Sequence, residues 1–184
     1  MIIYLNIKLH HMKTISKSPD SIDRVRAQWR LERSDLDTSP MELIGRILRI
    51  GFITQAKMRR VFRQHGVDSG GFDVLATLRR SGMPYHMTPT QLYKELILTS
   101  GAMTHRLDVL ERDGLIVRKS DPDDRRGTLI ELTKKGSGLL DQAMDTHLDG
   151  EASMVAHLTK TEQKDLAKLL KKLLLEMEST HENE

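Results

Sequence analysis

The chain of 184 residues contains no cysteine. This excludes disulfides, thiolate zinc sites and a cysteine redox switch, and it is typical of proteins in a reducing compartment. The N-terminal stretch has no small-residue cleavage site, and no apolar run approaches the roughly 20 residues that a membrane-spanning helix needs. We therefore expect a soluble, cytoplasmic protein that does not bind a membrane.

Recognisable catalytic chemistry is lacking as well. The sequence has no glycine-rich phosphate loop and no nucleophile beside a base, and its eight histidines, His147 among them, show no metal-ligand spacing. The excess of positive charge is small, with 29 Lys and Arg against 26 Asp and Glu. Net charge therefore permits a nucleic-acid partner without requiring one. We expect neither an enzyme nor a metal or organic cofactor.

Helix signals recur along the first part of the chain. Apolar residues at i, i+3 and i+7 within 19–32 predict an amphipathic first helix. Ser39 and Glu42 have the spacing of a capping box, and with Pro40 between them they predict a long second helix that ends before Gly66. The stretch GGFDVLATLRRSG predicts a third helix. The first part of the chain is therefore expected to be helical.

A helix-turn-helix followed by a hairpin is predicted in the middle of the chain. Thr88 and Gln91 form a second capping box before a short helix, and a further helix with Met103, Leu107 and Leu110 facing inward follows a turn. The β-rich runs LIVRKS and TLIELT then bracket the charged tip DPDDRRG. These elements predict a mainly α fold with a small β-hairpin wing, a winged helix-turn-helix.

The C-terminal part returns to helix. One helix is predicted from 137 to 154, and a last helix follows a capping box of Thr159 and Glu162. A broad leucine stripe runs along this last helix and is formed by Leu166, Leu169, Leu170, Leu173 and Leu174. Because a single domain of this size has little core left for the stripe, we expect a partner chain to cover it.

Residues 88–136 resemble the MarR family of bacterial transcription regulators. The family's pattern of Leu-Glu-x-x-Gly-Leu-Ile/Val, Asp-x-x-Asp-x-Arg and Leu-Thr-x-x-Gly is matched by VLERDGLIVR, DPDDRRG and ELTKKG. The resemblance implies a homodimer with an added N-terminal helix that binds double-stranded DNA at a pseudo-palindromic operator. Repression is the expected result of that binding.

The resemblance also implies a division of the chain into four segments. Residues 1–18 are expected to be a disordered extension. The N-terminal helices, 19–66, are expected to serve dimerisation and ligand binding, and 67–136 to form the DNA-binding lobe. The C-terminal helices, 137–184, are expected to complete the dimer.

Two stretches narrow the resemblance. QWRLERSDLDTSPMELIGRI and SGAMTHRLDVLE are similar to the urate-responsive branch of the family, related to the PecS and HucR regulators. This implies an effector pocket in which a planar ring lies against Trp29, Arg106 and Arg118 donate to an anion, and Asp73 accepts a ring N–H. Urate or a similar small anionic heterocycle is the expected effector.

Each of these four residues also has a structural interpretation. Trp29 can anchor the first helix, Asp73 can interact with a helix dipole, and Arg118 can be a solvated strand residue. Arg106 lies toward the buried side of its helix, where an unpaired charge is costly, so an ion pair with an acid such as Asp73 is expected. An anion that competes for Arg106 would make this ion pair a switch. A phenolic or antibiotic effector, or none, and a winged helix used only for protein contacts remain alternatives.

The predicted DNA contacts lie on the recognition helix, the second helix of the helix-turn-helix. Ser100, Thr104 and His105 are near its start, where base edges and phosphates are contacted. Asp108 is expected to pair with a neighbouring arginine, because it would face phosphate unfavourably.

The wing is predicted to contact the flanking minor groove. Arg126 is expected to enter the groove, Arg125 to contact phosphate, and Asp124 to fix the direction of Arg126. Asp121 and Asp123 are expected to shape the turn.

Overall fold

The computed structural model of the protein describes residues 18–96, 103–124 and 126–181. Most of the expected extension 1–18 lies outside these ranges, as do two predicted DNA contacts, Ser100 and Arg125. The helices and strands within the described residues are, in chain order, α1 Ser21–Glu32, α2 Ser39–Gln64, α3 Ser69–Arg80, β1 His86–Met87, α4 Pro89–Glu95, α5 Met103–Arg112, β2 Ile116–Ser120, β3 Thr128–Leu132, α6 Lys134–Val155 and α7 Lys160–His181.

The chain divides into two compact units, Met1–Ile53 and Thr54–Glu184. The hydrophobic core lies in the second unit, where the C-terminal part of α2, the helices α3, α4, α5 and α6, and the sheet contribute buried side chains. These include Phe62, Phe72, Leu75, Leu78, Leu92, Leu107, Leu110, Leu115, Ile130 and Leu140. Leu107 and Leu110, predicted to face inward, are thus in the core, and Met103 packs against it.

In the first unit, ion pairs fasten α1 to the first half of α2. The Arg46 guanidinium contacts the carboxylates of Asp20 at 2.8 Å and Asp23 at 2.7 Å. Arg26 pairs with Glu42 at 2.6 Å. The hydrogen bond from the backbone N–H of Asp23, and more weakly the one from Arg46, lowers the pKa of Asp20. Asp20 also caps α1, so one carboxylate both starts this helix and holds it to α2.

The capping box expected of Ser39 and Glu42 is wrong. The helix α2 begins at Ser39 itself, and the Asp37 side chain accepts hydrogen bonds from both the Ser39 backbone N–H and its hydroxyl, each at 2.9 Å. Glu42 instead accepts from Arg26. Arg26 of α1 therefore binds the Glu42 carboxylate, which the local pattern predicted to accept a hydrogen bond in the cap of α2.

The sheet has three strands in the order β1-β3-β2, all antiparallel. The predicted hairpin is confirmed, with Ile116 opposite Leu132 in the β2–β3 register, and Ile130 and Leu132 are both buried. The strand β1 was not predicted, because its two residues carry no pattern of their own. It exists because β3 offers an open edge to His86 and Met87.

The helix α6 begins three residues earlier than predicted. The Thr133 side chain caps it by accepting a 2.9 Å hydrogen bond from the Gly136 N–H. Gly136 is buried, and a Cβ at this position would overlap the Leu115 carbonyl oxygen. The end of the wing and the start of α6 therefore pack at a point that has room only for glycine.

Candidate DNA-binding surface and effector cavity

The helix α5 presents two different faces. Leu107 and Leu110 are buried, whereas Thr104, His105 and Asp108 are exposed. This confirms the predicted sides of the helix and leaves polar side chains at its N-terminal half, where a recognition helix contacts base edges.

The C-terminal end of α5 is fixed by two neighbours. Gly114 follows it with φ of +70°, a left-handed conformation that glycine adopts without strain. The Lys135 ammonium donates a 2.7 Å hydrogen bond to the Asp113 carbonyl. A cation at this end of a helix also complements its dipole.

Arg118 ties the recognition helix to the wing. From β2 its guanidinium contacts Asp108 of α5 at 2.7 Å and also pairs with Glu111, while its backbone N–H donates to Glu111 at 3.1 Å. The hydrogen bond to Asp108, followed by that to Glu111, raises the pKa of Arg118. The predicted pairing of Asp108 with an arginine is therefore confirmed, and Arg118 links α5 to β2.

Aspartates build the tip of the wing. The Asp121 carboxylate accepts from the Asp123 N–H at 3.0 Å, and the Asp124 carboxylate accepts from the Arg126 N–H at 2.9 Å. A Cβ on Gly127 would lie 2.9 Å from Cβ of Asp121, so the turn closes tightly. The turn-shaping role of Asp121 is confirmed, and Asp124 holds the backbone of Arg126, whose side chain is exposed.

The second unit contains a cavity of about 900 Å³, lined by residues of α2, α3, α5 and α6. Asp73 of α3 and Arg106 of α5 both line it, so the structure brings together two of the four predicted effector residues. Asp73 is buried, with 7% of its surface exposed. The interpretation of Asp73 as a helix-dipole partner is wrong, because α3 begins at Ser69 with Asp68 as its cap and has no acidic residue in its first turn.

The cavity combines positive charge with an aromatic wall. Five arginines line it against three carboxylates: Arg59, Arg63, Arg79, Arg80 and Arg106, and Asp68, Asp73 and Glu151. Phe62 and Phe72 stack with their ring centroids 4.2 Å apart, and the His147 ring lies 5.4 Å from that of Phe62. An anion with a planar apolar ring fits such a lining.

His147 is a site residue that the sequence did not reveal. Its Nδ1 lies 3.1 Å from Sδ of Met58, and its Nε2 lies 3.3 Å from the Glu151 carboxylate. No spacing along the chain links His147 to α2 or α3. The i, i+4 relation to Glu151 is the one local signal, and it is equally typical of a solvated helix face.

The other two predicted effector residues are not among the described residues that line this cavity. Arg118 is engaged with α5, and the described residues that line the cavity do not include it. Trp29 lies on α1 in the first unit and is 41% exposed. Their contact with an effector stays a prediction.

A second, smaller cavity of about 280 Å³ lies beside the recognition helix. Its lining includes Asp68, His105, Arg106 and Asp113. Arg106 and Asp68 thus line both cavities.

Two helices followed by an antiparallel hairpin, with a polar recognition helix and an exposed arginine at the wing tip, define a winged-helix DNA-binding protein. No helix among the described residues has the length and apolar character needed to cross a membrane.

Comparison with known proteins identifies the family within this class of DNA-binding proteins. Residues 69–128 match the MarR family. The chain is 36% identical to the transcriptional regulator PecS of Dickeya dadantii over 143 residues, which are 78% of this chain and 86% of PecS. It therefore belongs to the MarR family, as the sequence predicted, and is a ligand-responsive, DNA-binding transcriptional regulator rather than an enzyme.

Solved structures agree with this assignment. A MarR-like transcription regulator from Bacillus cereus superposes with a TM-score of 0.69 at 26% identity, covering 76% of this chain and 99% of that one. A mutant MarR from Escherichia coli complexed with operator DNA superposes with a TM-score of 0.63 at 27% identity, again covering 76% and 99%. The predicted winged-helix fold is confirmed.

Proposed function

We propose that the protein is a homodimeric repressor that urate, or a similar small anionic heterocycle, releases from a pseudo-palindromic operator. One observation carries this proposal: Arg106 lines the larger cavity together with Asp73 and also belongs to the recognition helix. An anion in the cavity therefore acts on the same element that contacts DNA. The similarity to PecS supports the urate-responsive branch.

The effector acts through the charge of Arg106. An anion near Asp73 competes for the guanidinium, because both carry negative charge and both are hydrogen-bond acceptors. Drawing the side chain into the cavity pulls on α5. Release of DNA requires that the anion bind the free conformation more tightly than the DNA-bound one, since equal affinity would shift nothing.

DNA is contacted by α5 and by the wing. Thr104 and His105, with Ser100, contact base edges and phosphates in the major groove. Arg126 enters the minor groove and Arg125 contacts phosphate. In the dimer the two recognition helices lie roughly 34 Å apart, in successive major grooves.

The leucine stripe of α7 supports the dimer. Leu166 is 44%, Leu169 65%, Leu170 42% and Leu174 55% exposed in the single chain. So large an exposed apolar face on one helix is typical of an interface between protein chains. A second copy, with the same stripe, is the partner that a symmetric dimer supplies.

A phenolic or antibiotic effector is the second candidate. The stacked Phe62 and Phe72, with Met58, Leu140 and Met144 in the same lining, suit a neutral aromatic ring. The two candidates differ in charge: urate requires the arginines, whereas a neutral phenol requires the aromatic wall.

A gel shift tests the proposal. The probe is the intergenic DNA upstream of the protein's own gene, at low salt, with and without urate. We expect a retarded complex that urate dissolves. Asp73→Ala should weaken this response while operator binding persists, and Asp149→Ala, an exposed aspartate of α6, should behave as wild type. A complex that only a phenol dissolves would favour the second candidate, and no complex at low salt would favour a protein-contact role.

Fluorescence gives a second readout of effector binding. Because the chain has one tryptophan, its emission reports on Trp29 alone. We expect urate to quench it. Unchanged emission at millimolar urate would remove Trp29 from the site.

A further inference from the structure

Gly70 makes room for the guanidinium of Arg106. A Cβ placed on Gly70 would overlap Cζ, Nε and Nη2 of Arg106. The guanidinium therefore lies against the backbone of α3, in the space that a side chain at position 70 would occupy. Gly70 is part of the regular helix α3, so this glycine supplies space rather than an unusual backbone conformation.

This position lies at the larger of the two cavities. Gly70, Asp73 and Arg106 line the larger cavity, and Arg106 also lines the smaller one beside His105. Gly70 and Asp73 are three residues apart on α3, a spacing that puts them on neighbouring positions of one helix face. The guanidinium for which, in the proposed function, an effector anion competes with Asp73 thus lies against the helix that carries this carboxylate.

We propose that Gly70 is the positioning residue of the effector response. While the guanidinium rests on Gly70, it holds α5 against α3 in the orientation that binds DNA. An anion in the larger cavity draws the guanidinium off Gly70, and the start of α5 moves with it. This inference rests on the proposed function for its effector, but the placement of Arg106 on Gly70 also makes a prediction about DNA binding alone.

The substitution Gly70→Ala tests the effect of Gly70 on DNA binding separately from its effect on the effector response. Alanine is a better helix former than glycine, so the substitution favours α3 itself. The added methyl group meets the end of a flexible side chain and not backbone, so the fold accommodates it by displacing the guanidinium. Gly138→Ala is the matched control, because a Cβ on this glycine of α6 meets nothing within 4 Å.

The measurement is operator affinity by fluorescence anisotropy, with the upstream intergenic DNA as probe. We expect Gly70→Ala to bind at least tenfold more weakly than wild type without effector, and urate to weaken it no further. Gly138→Ala should match wild type in both respects. Wild-type affinity and a normal urate response in Gly70→Ala would overturn the inference.

A double-mutant cycle tests whether the methyl group acts through the guanidinium. In an Arg106→Ala background, Gly70→Ala should have no further effect on operator affinity. An equal loss in both backgrounds would show that the methyl group acts on α3 instead, and the inference would be wrong.

Hydrogen–deuterium exchange distinguishes failure of this inference from failure of the proposed function. Amides of α5 should exchange faster in Gly70→Ala than in Gly138→Ala, whether or not urate is an effector. Suppose that urate leaves the operator affinity of the wild type unchanged, while Gly70→Ala binds the operator more weakly and exchanges the amides of α5 faster. The choice of effector is then wrong and the role of Gly70 stands. Equal exchange in the two variants would contradict the role of Gly70.

Discussion

Gly136→Ala should destabilise the protein, although alanine is the better helix former. A Cβ on Gly136 would overlap the Leu115 carbonyl oxygen and lie 2.9 Å from Cδ1 of Leu132. The same carbonyl accepts a hydrogen bond from the backbone N–H of Thr133 at 3.1 Å, so the helix cap is disturbed as well.

The magnitude follows from three contributions. Overpacking a tight site costs about 1–3 kcal/mol. Weakening the Thr133 cap costs up to about 1 kcal/mol. Replacing a helical glycine gains about 0.5–1 kcal/mol. At central values of the three contributions, the net loss in the free energy of unfolding is about 2 kcal/mol, which for a chain of this length lowers the Tm by about 4–8 °C.

Thermal and urea unfolding followed by circular dichroism measure this loss. Gly138→Ala, two residues further along α6 and open to solvent, is the control and should gain about 0.5–1 kcal/mol. If Gly136→Ala were as stable as Gly138→Ala, the packing of α6 against the end of the wing would not require glycine, and the reasoning would be refuted.

Three further predictions concern DNA binding and acid stability. Arg126→Ala should weaken operator binding and reduce the salt slope by about one, with urate quenching unchanged; an unchanged slope would argue against a DNA contact. Arg118→Ala should cost less than about 1 kcal/mol of stability, since its pairs are partly exposed, yet lower operator affinity because α5 loses its tie to β2; unchanged affinity in anisotropy would contradict that role. The lowered pKa of Asp20 means that its stabilisation of α1 is complete above about pH 4 and is lost as pH falls through the folded-state pKa. Trp29 emission should report the release of α1 in acid, whereas Asp20→Ala should show no such transition.

Local patterns predicted much of the fold. The capping boxes of Thr88 with Gln91 and of Thr159 with Glu162 are both formed, and Gly66 ends α2 with φ of +78°. Each signal involves groups within one helical turn, so the residues that satisfy it are neighbours in the chain. The box at Ser39 failed because Glu42 had a stronger partner on another helix.

The candidate site was predicted only in part. A resemblance, not a spacing, singled out Asp73 and Arg106, and the cavity that both line supports that choice. The one local signal for His147, its i, i+4 relation to Glu151, did not indicate that it contacts Met58 from a helix far along the chain. Arg118 was expected near the effector, yet its observed partners are on the recognition helix.

The sequence by itself determined the order of elements, the two faces of the recognition helix and the shape of the wing, because these depend on periodicity and on hydrogen bonds between near neighbours. Only the tertiary structure decided that Arg106 rests on Gly70, that Arg118 joins α5 to β2, and that β1 adds to the sheet. These contacts form between residues that are distant in the sequence and that only the packing of the chain brings together. The sequence pattern also gives no indication that the space beside a glycine is filled by a side chain from another helix.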